Sequence, residues 1–462
     1  MKQKILLLML GALFSLPAFT QDFSIEYSWG RLNFTITDED AKECKVSSSE
    51  NISGDVEIPM DVTYQKSVNG EGGLYHITQI GEEAFSECSD MTSVAIPSSV
   101  TSIGEGAFNW CTGLTSVTLP ESITSIERFT FHWCSGLTSV IIPASVTSID
   151  DYAFNFCGGM TSVTIPMGVK SIGEFTFNEC NSLTSVTIPA SVTSIFYSSF
   201  ACCSNLKEIL VEEGNKHYCS DNGVVYDIDK TILIACPGGI KEYSIPEGVK
   251  NIGELAFFGC SGLTSVIIPE GVKSIDFGAF TECSGLTTVT IPGSVTSIER
   301  SAFHRCSGLT SVTITEGIES IGYGAFYWCS SLTSVIIPES VTEIGDSAFS
   351  LCSSLNSVTY LSDQPIEGNS DIFDSTTYDT ATLYMSETGK DASKDIDPWK
   401  NFKNIRVYNP ASIEDNIADF NEDALCEVFN LNGVKIADST DNLPAGIYVV
   451  RQGNTAKKIA VK

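Results

Sequence analysis

Basic residues and histidines are scarce in this chain. Lys and Arg number 26 against 57 Asp and Glu, the formal net charge is −31, and there are 4 histidines in 462 residues. Duplex-binding proteins need a cationic footprint to release counterions, so the balance argues against nucleic acid as a partner. It argues equally against an electrostatic grip on anionic membranes, and leaves solubility or a basic patch on a partner as what the charge serves. His76, His132, His217 and His304 are dispersed, with no HExxH or GxSxG among them. No spacing singles out a carboxylate pair for glycoside hydrolysis. CxxC pairs are absent, which argues against a zinc cluster. The acidic runs at 38–40 and 227–229 lack the EF-hand glycine and spacing and read as solvated turns. The expectation is a chain that is not an enzyme and uses no cofactor or metal.

Long apolar runs are also missing. The longest, Ile5–Leu16, follows Met1-Lys2-Gln3-Lys4 and precedes Pro17-Ala18-Phe19-Thr20. A positive start, a short apolar stretch and small residues at the exit predict a Sec-type signal peptide over residues 1–20, cut after Ala18 or Thr20. No cysteine precedes Cys44, which argues against a lipid anchor.

What the chain has is a beat. Eleven of its 16 cysteines keep a 23-residue period, Cys88, Cys111, Cys134, Cys157, Cys180 and Cys203, then Cys260, Cys283, Cys306, Cys329 and Cys352. Phe stands three residues before each, and Leu or Met three after. A fixed period of this length means a solenoid whose coils cannot bury their apolar face alone. In the coil Leu114–Cys134, the residues Leu114, Val117 and Leu119 give the LxxLxL spacing of a leucine-rich-repeat strand. Most coils then place Pro, as at Pro120 and Pro143, which has no N–H to donate and ends the strand at a fixed depth. A second apolar pair, such as Val100 and Ile103, predicts a second short extended segment, and Gly104 to Phe108 a tight or single helical turn carrying Phe inward.

The cysteines admit zinc, disulfide or buried-thiol readings. Flanking Phe and Leu favour buried free thiols acting as small hydrophobes, with Cys219 and Cys236 a separate pair that could bridge. Between Cys203 and Cys260 the spacing is 57, an excess of 34 residues at about 212–245. There Val224-Val225-Tyr226 and Ile232-Leu233-Ile234 flank a polar turn and predict a hairpin, either a decorated coil or a protruding contact site. Residues 21–55 read as an N-terminal cap, 56–360 as the solenoid, 361–410 as a degenerate closing coil, and 411–462 as a small β tail.

The repeat AFxxCxxLTSVxIPxSVTSIG, seen from Ala107-Phe108 through Cys111 to Pro120, resembles the BspA-like leucine-rich repeats of treponemal type over about residues 56–360. The resemblance implies a right-handed, mainly β solenoid with short helical turns. It also implies an exported, non-catalytic surface protein binding host matrix or another cell. The run Leu443-Pro444-Ala445-Gly446-Ile447-Tyr448 with the basic end Lys457–Lys462 resembles a type IX secretion sorting domain, implying secretion or display at the outer surface of a Gram-negative bacterium.

Departures from the repeat are the candidates for function. Before the ladder cysteine stand Trp110, Trp133, Phe156 and later Trp328, and two residues before the ladder Phe stand Phe129, Tyr152 and Phe175. They are expected to form an aromatic stripe across coils two to five, either facing a ligand or packed over the turn. The ligand is then a host-matrix or cell-surface protein. Alternatives are a glycan held by an accessory protein, or a structural role in a surface coat.

Overall fold

The structure is a computed structural model that describes residues 22–64, 72–407 and four strands within 427–461. The leader expected over 1–20 lies outside the described residues. Among them no helix is long and apolar enough to cross a membrane.

Most coils contribute two short strands, which pair in parallel with their counterparts one coil on in runs that break between Ser116–Thr118 and Ser139–Ile141 and between Ser162–Thr164 and Ser185–Ile188. Val312 sits opposite Val289, and Ile298 opposite Ile275 and Ile321, so the register is the 23-residue period itself. In Ser185–Ile188 and Thr288–Ile291 the alternation puts valine and isoleucine inward and the hydroxyls outward. The second strand is two residues long, as in Ser320–Ile321, because apolar content lasts only that far before the turn.

The turn segment has its own backbone order. Amides alternate between partners: Glu83, Phe85 and Glu87 donate to carbonyls of the next coil, at Glu105, Ala107 and Asn109, while Ala84, Ser86 and Cys88 donate three residues back within their own. The expected helical turn is therefore a run of tight turns laddered sideways. Inside it the phenylalanines stack from Phe85 to Phe200 and from Phe257 to Phe373, with centroids 4.7–5.5 Å apart and planes nearly parallel. These spacings fall in the attractive range for offset rings, about 0.5–1.5 kcal/mol per pair beyond burial.

All fifteen described cysteines are free, Cys219 and Cys236 included. Nine ladder thiols donate to the carbonyl of the Phe one coil back, Cys111 to Phe85 and Cys352 to Phe326 among them, at 3.0–3.3 Å. A small apolar side chain with one weak donor meets both demands of the position. Burial pushes the Cys180 thiol up to about 12, so it stays protonated and inert.

The excess residues fold inward. Tyr218–Asp221, Val224–Asp227 and Ile232–Ala235 form an antiparallel meander, and the last strand pairs in parallel with Asn251–Ile252, restoring the beat. Asp227 ties its turn by accepting from the Thr231 and Ile232 amides and from the Thr231 hydroxyl. Val225 belongs to the core before the meander and Val224 and Tyr226 to the core after it, all three fully buried. The strand Val224–Asp227 is thus a wall between two cores, and its buried residues do not protrude.

At the front, Asp22–Tyr27, Gly30–Asp38 and Glu43–Glu50 pair antiparallel, burying Leu32, Phe34, Ile36, Cys44 and Val46. At the back, Thr382–Met385 and Asn404–Val407 extend the sheet at spacings of 25 and 22 residues, with short helices Ser375–Thr380 and Glu387–Ala392 between. Trp399 is fully buried there against Tyr360, its Nε1 donating to the Ile366 carbonyl. In the tail, four antiparallel strands run in the order Lys435–Ala437, Glu427–Phe429, Gly446–Gln452, Thr455–Val461. Asn432-Gly433 and Gly453-Asn454, whose residue types favour turns, lie outside the described residues.

Candidate binding surface

All six stripe residues share one backbone feature. Trp110, Trp133 and Phe156, and Phe129, Tyr152 and Phe175, have φ between 51° and 60°, the left-handed region. The position before the cysteine and the position two before the Phe are the two left-handed points of every coil. A non-glycine residue there costs roughly 1–2 kcal/mol, and the amide ladder enforces it: Trp110 and Trp133 donate to the carbonyls of His132 and Asn155 at 2.8 Å. The sequence carried a signal for this, since glycine recurs at the same points as Gly106, Gly259, Gly278 and Gly324, all with positive φ. Ser301 (φ 58°) lies between Gly278 and Gly324 in the stack. Ser301→Gly is expected to stabilise the protein by up to about 1 kcal/mol and Ser301→Ala not at all, read as urea midpoints. Equal midpoints for the two variants would remove the backbone argument.

The structure brings the six together as two stacked ladders. Trp110, Trp133 and Phe156 stack at 4.5 and 4.3 Å, and Phe129, Tyr152 and Phe175 at 4.9 and 5.3 Å, with planes within 17°. Trp110 is 43% exposed and the other five are half-buried. Ring faces are occupied by neighbouring rings, so solvent meets mainly edges. Edge presentation suits packing against another protein more than stacking under a sugar ring.

Between the ladders runs a polar row, Asn109, His132, Asn155 and Asn178. Asn178 donates to Asn155 at 2.9 Å, while His132 Nδ1, Asn109 Oδ1 and Asn178 Oδ1 are buried without a partner. Rings of Phe129, Trp133 and Phe156 meet the imidazole edge-on. Burial lowers the His132 pKa to about 4. Because this folded value lies below the unfolded one near 6.5, the neutral ring contributes stability in full above about pH 6.5. That contribution is lost as pH falls toward 4. The ring is only half-buried, so roughly 1–2 kcal/mol is expected after solvent screening. His132→Asn should flatten the fall in melting temperature between pH 7 and pH 4.5; an identical pH profile would show that the imidazole is solvated.

The other sequence candidates do not join this surface. His76 pairs with Asp61 near the front cap, and His304 stands beside Tyr327 six rungs from His132. Trp328 lies on the same edge, 43% exposed, with the Arg305 guanidinium 5.0 Å over its ring. Between the two aromatic stretches the edge sinks into a groove of about 680 Å³, lined by Glu179, Asn181, Cys202, Gly259, Glu282 and Arg305 among others. Sequence reading passed over it because Cys202 and Cys203 are adjacent and only the second keeps the beat. Among the described residues no three His, Cys, Asp or Glu are placed to hold a metal ion.

A family model described as BspA type Leucine rich repeat region matches residues 78–207, 227–356 and 319–449, in six copies. The crystal structure of the pneumococcal vaccine antigen PcpA is similar with a TM-score of 0.62 at 20% identity, over 84% of this chain and 99% of that one. A leucine rich cell surface protein from Faecalibacterium prausnitzii A2-165 gives 0.54 at 26%, over 84% and 95%. A leucine-rich repeat protein from Eubacterium ventriosum ATCC 27560 gives 0.53 at 23%, over 80% and 94%. The first and third are likenesses of fold. No curated protein matches the chain.

Proposed function

We propose, from the premise that this chain belongs to the BspA type leucine rich repeat family, that it is an exported, non-catalytic binding protein at the cell surface. Its role is that of an adhesin for a host-matrix protein or a protein of another cell. The observation that carries this reading is the doubled aromatic ladder from Trp110 to Phe175, large apolar groups held at positions the coil core does not require. Similarity to a cell surface protein of Faecalibacterium prausnitzii supports the location, and the leader and tail motifs support the route. The tail from Leu443 to Lys462 serves as a sorting signal in this reading; surface display unchanged by its deletion would refute that part.

The mature chain is to be applied to immobilised matrix proteins and to a glycan array. Protein binding is expected, weakened tenfold or more by Trp110→Ala, since truncated aromatic anchors lose about 2 kcal/mol. Trp110 is the clean choice because it is the end of its stack and the most exposed member. Binding confined to glycans, or indifferent to Trp110, would sink the reading.

A further inference from the structure

The groove exists because one ladder of side chains shrinks. Along the position before the cysteine the residues run Phe156, Glu179, Cys202, Gly259, Glu282, Arg305, Trp328, so large rings give way to a thiol and then to nothing. Gly259 sits at φ 68°, and a Cβ there would collide with the Cys202 sulfur and backbone, so the floor cannot rise. Cys202 and Gly259 are neighbours only because the inward meander removes the excess residues: the Cys202 amide donates to the Phe258 carbonyl across the junction. A second row, Asn181, Ser204, Ser261, Ser284 and Ser307, lines one wall; Asn181 donates to Glu179 and accepts from Ser204, so the hydroxyls of Ser261, Ser284 and Ser307 are the groups it offers.

The electrostatics are one-sided. The Cys202 thiol is pushed up to about 12 by burial first and then by the Glu179 and Glu282 carboxylates, and because Glu282 is paired with Arg305, Glu179 carries the uncompensated charge beside the floor. The one cation in the lining, Arg305, is already engaged, bonded to Glu282 at 3.0 Å and laid over the Trp328 ring. With that face covered, the groove offers no open aromatic platform for a pyranose. Six rungs at about 4.8 Å make a floor of roughly 24 Å, the length of about seven extended residues.

We infer that the groove seats an extended, lysine- or arginine-bearing polypeptide segment of the surface partner, an assignment that rests on the adhesin reading above. Glu179, steadied by the Asn181 amide at 2.7 Å, faces its cation, and the serine row meets its backbone.

The test uses the full mature protein and fluorescent hexalysine, with hexaglycine and a neutral hexasaccharide alongside. Cys202→Phe fills the floor with a ring of the kind Phe156 already holds at that position, so melting should not change. Glu179→Gln removes one rim charge and serves even if the filled variant misfolds. Hexalysine binding is expected to fall at least tenfold in Cys202→Phe and three- to tenfold in Glu179→Gln, with hexaglycine unbound. Hexalysine bound equally by wild type and both variants would mean that it senses only the net charge of −31, and would overturn the assignment. Saccharide binding lost in Cys202→Phe would overturn it in favour of a glycan site. Matrix-protein binding that persists through either failure would leave the adhesin reading standing, so the two are separable.

Discussion

Val225→Asp is expected to break the unfolding of this protein into two transitions. Val225 is fully buried in the core before the meander, and its neighbours Val224 and Tyr226 are fully buried in the core after it. Aspartate there has no cation within the wall to meet it, and an unpaired buried charge costs about 3–5 kcal/mol. In a stack where each coil touches only its neighbours, stability is close to a sum of coil and interface contributions. The penalty therefore falls on the single interface between the strands Glu208–Val211 and Ile232–Ala235. Calorimetry should resolve a front and a back half, while Val225→Ala, which leaves only a small cavity, keeps one transition at a lower temperature. A single unshifted transition in the aspartate variant would show that the strand is no partition.

Phe303→Ala should lose about 3–5 kcal/mol, as truncating a buried aromatic does. Phe303 is fully buried between Phe280 at 5.0 Å and Phe326 at 5.2 Å, and its carbonyl accepts the Cys329 thiol from the next coil. Two stacking contacts go with the ring, each about 0.5–1.5 kcal/mol. Hydrogen exchange should speed up most in the coils carrying Phe280 and Phe326 and fade away from them. Trp133→Ala, which also breaks two stacks but starts half-buried, should lose about 1–3 kcal/mol. If Trp133→Ala proved as costly as Phe303→Ala, the outer ladder would have to be counted as core.

The core was readable because it repeats. Phe, Cys and Leu or Met at offsets of three recur eleven times, and the structure buries them all but Cys88, which is half-buried at the front. Local pattern was also enough for the meander, whose strands Val224–Asp227 and Ile232–Ala235 straddle the turn read from Asp227 to Thr231. Its placement was not readable, because alternation alone does not say that both faces of Val224-Val225-Tyr226 will be covered. The stripe was legible as a row of aromatics but not as stacked rings in left-handed backbone. That needed the glycines at 106, 259, 278 and 324 to be seen as occupants of the same two positions. The groove was least legible, since Cys202 and Gly259 stand 57 residues apart and meet only once the meander has folded.

The parallel register has a consequence for how the molecule changes over generations. Because Val312 meets Val289 in the same way that Val358 meets Val335, an inner coil is interchangeable with the one beside it. Unequal exchange between the near-identical stretches that encode LTSVTIP would add or drop whole coils and leave every surviving contact intact. The meander, the front sheet and the Trp399 closure have no second copy to exchange with. Span is thus the variable the lattice leaves open, while the meeting of Cys202 and Gly259, anchored to the meander, travels unchanged as the arms on either side lengthen or shorten.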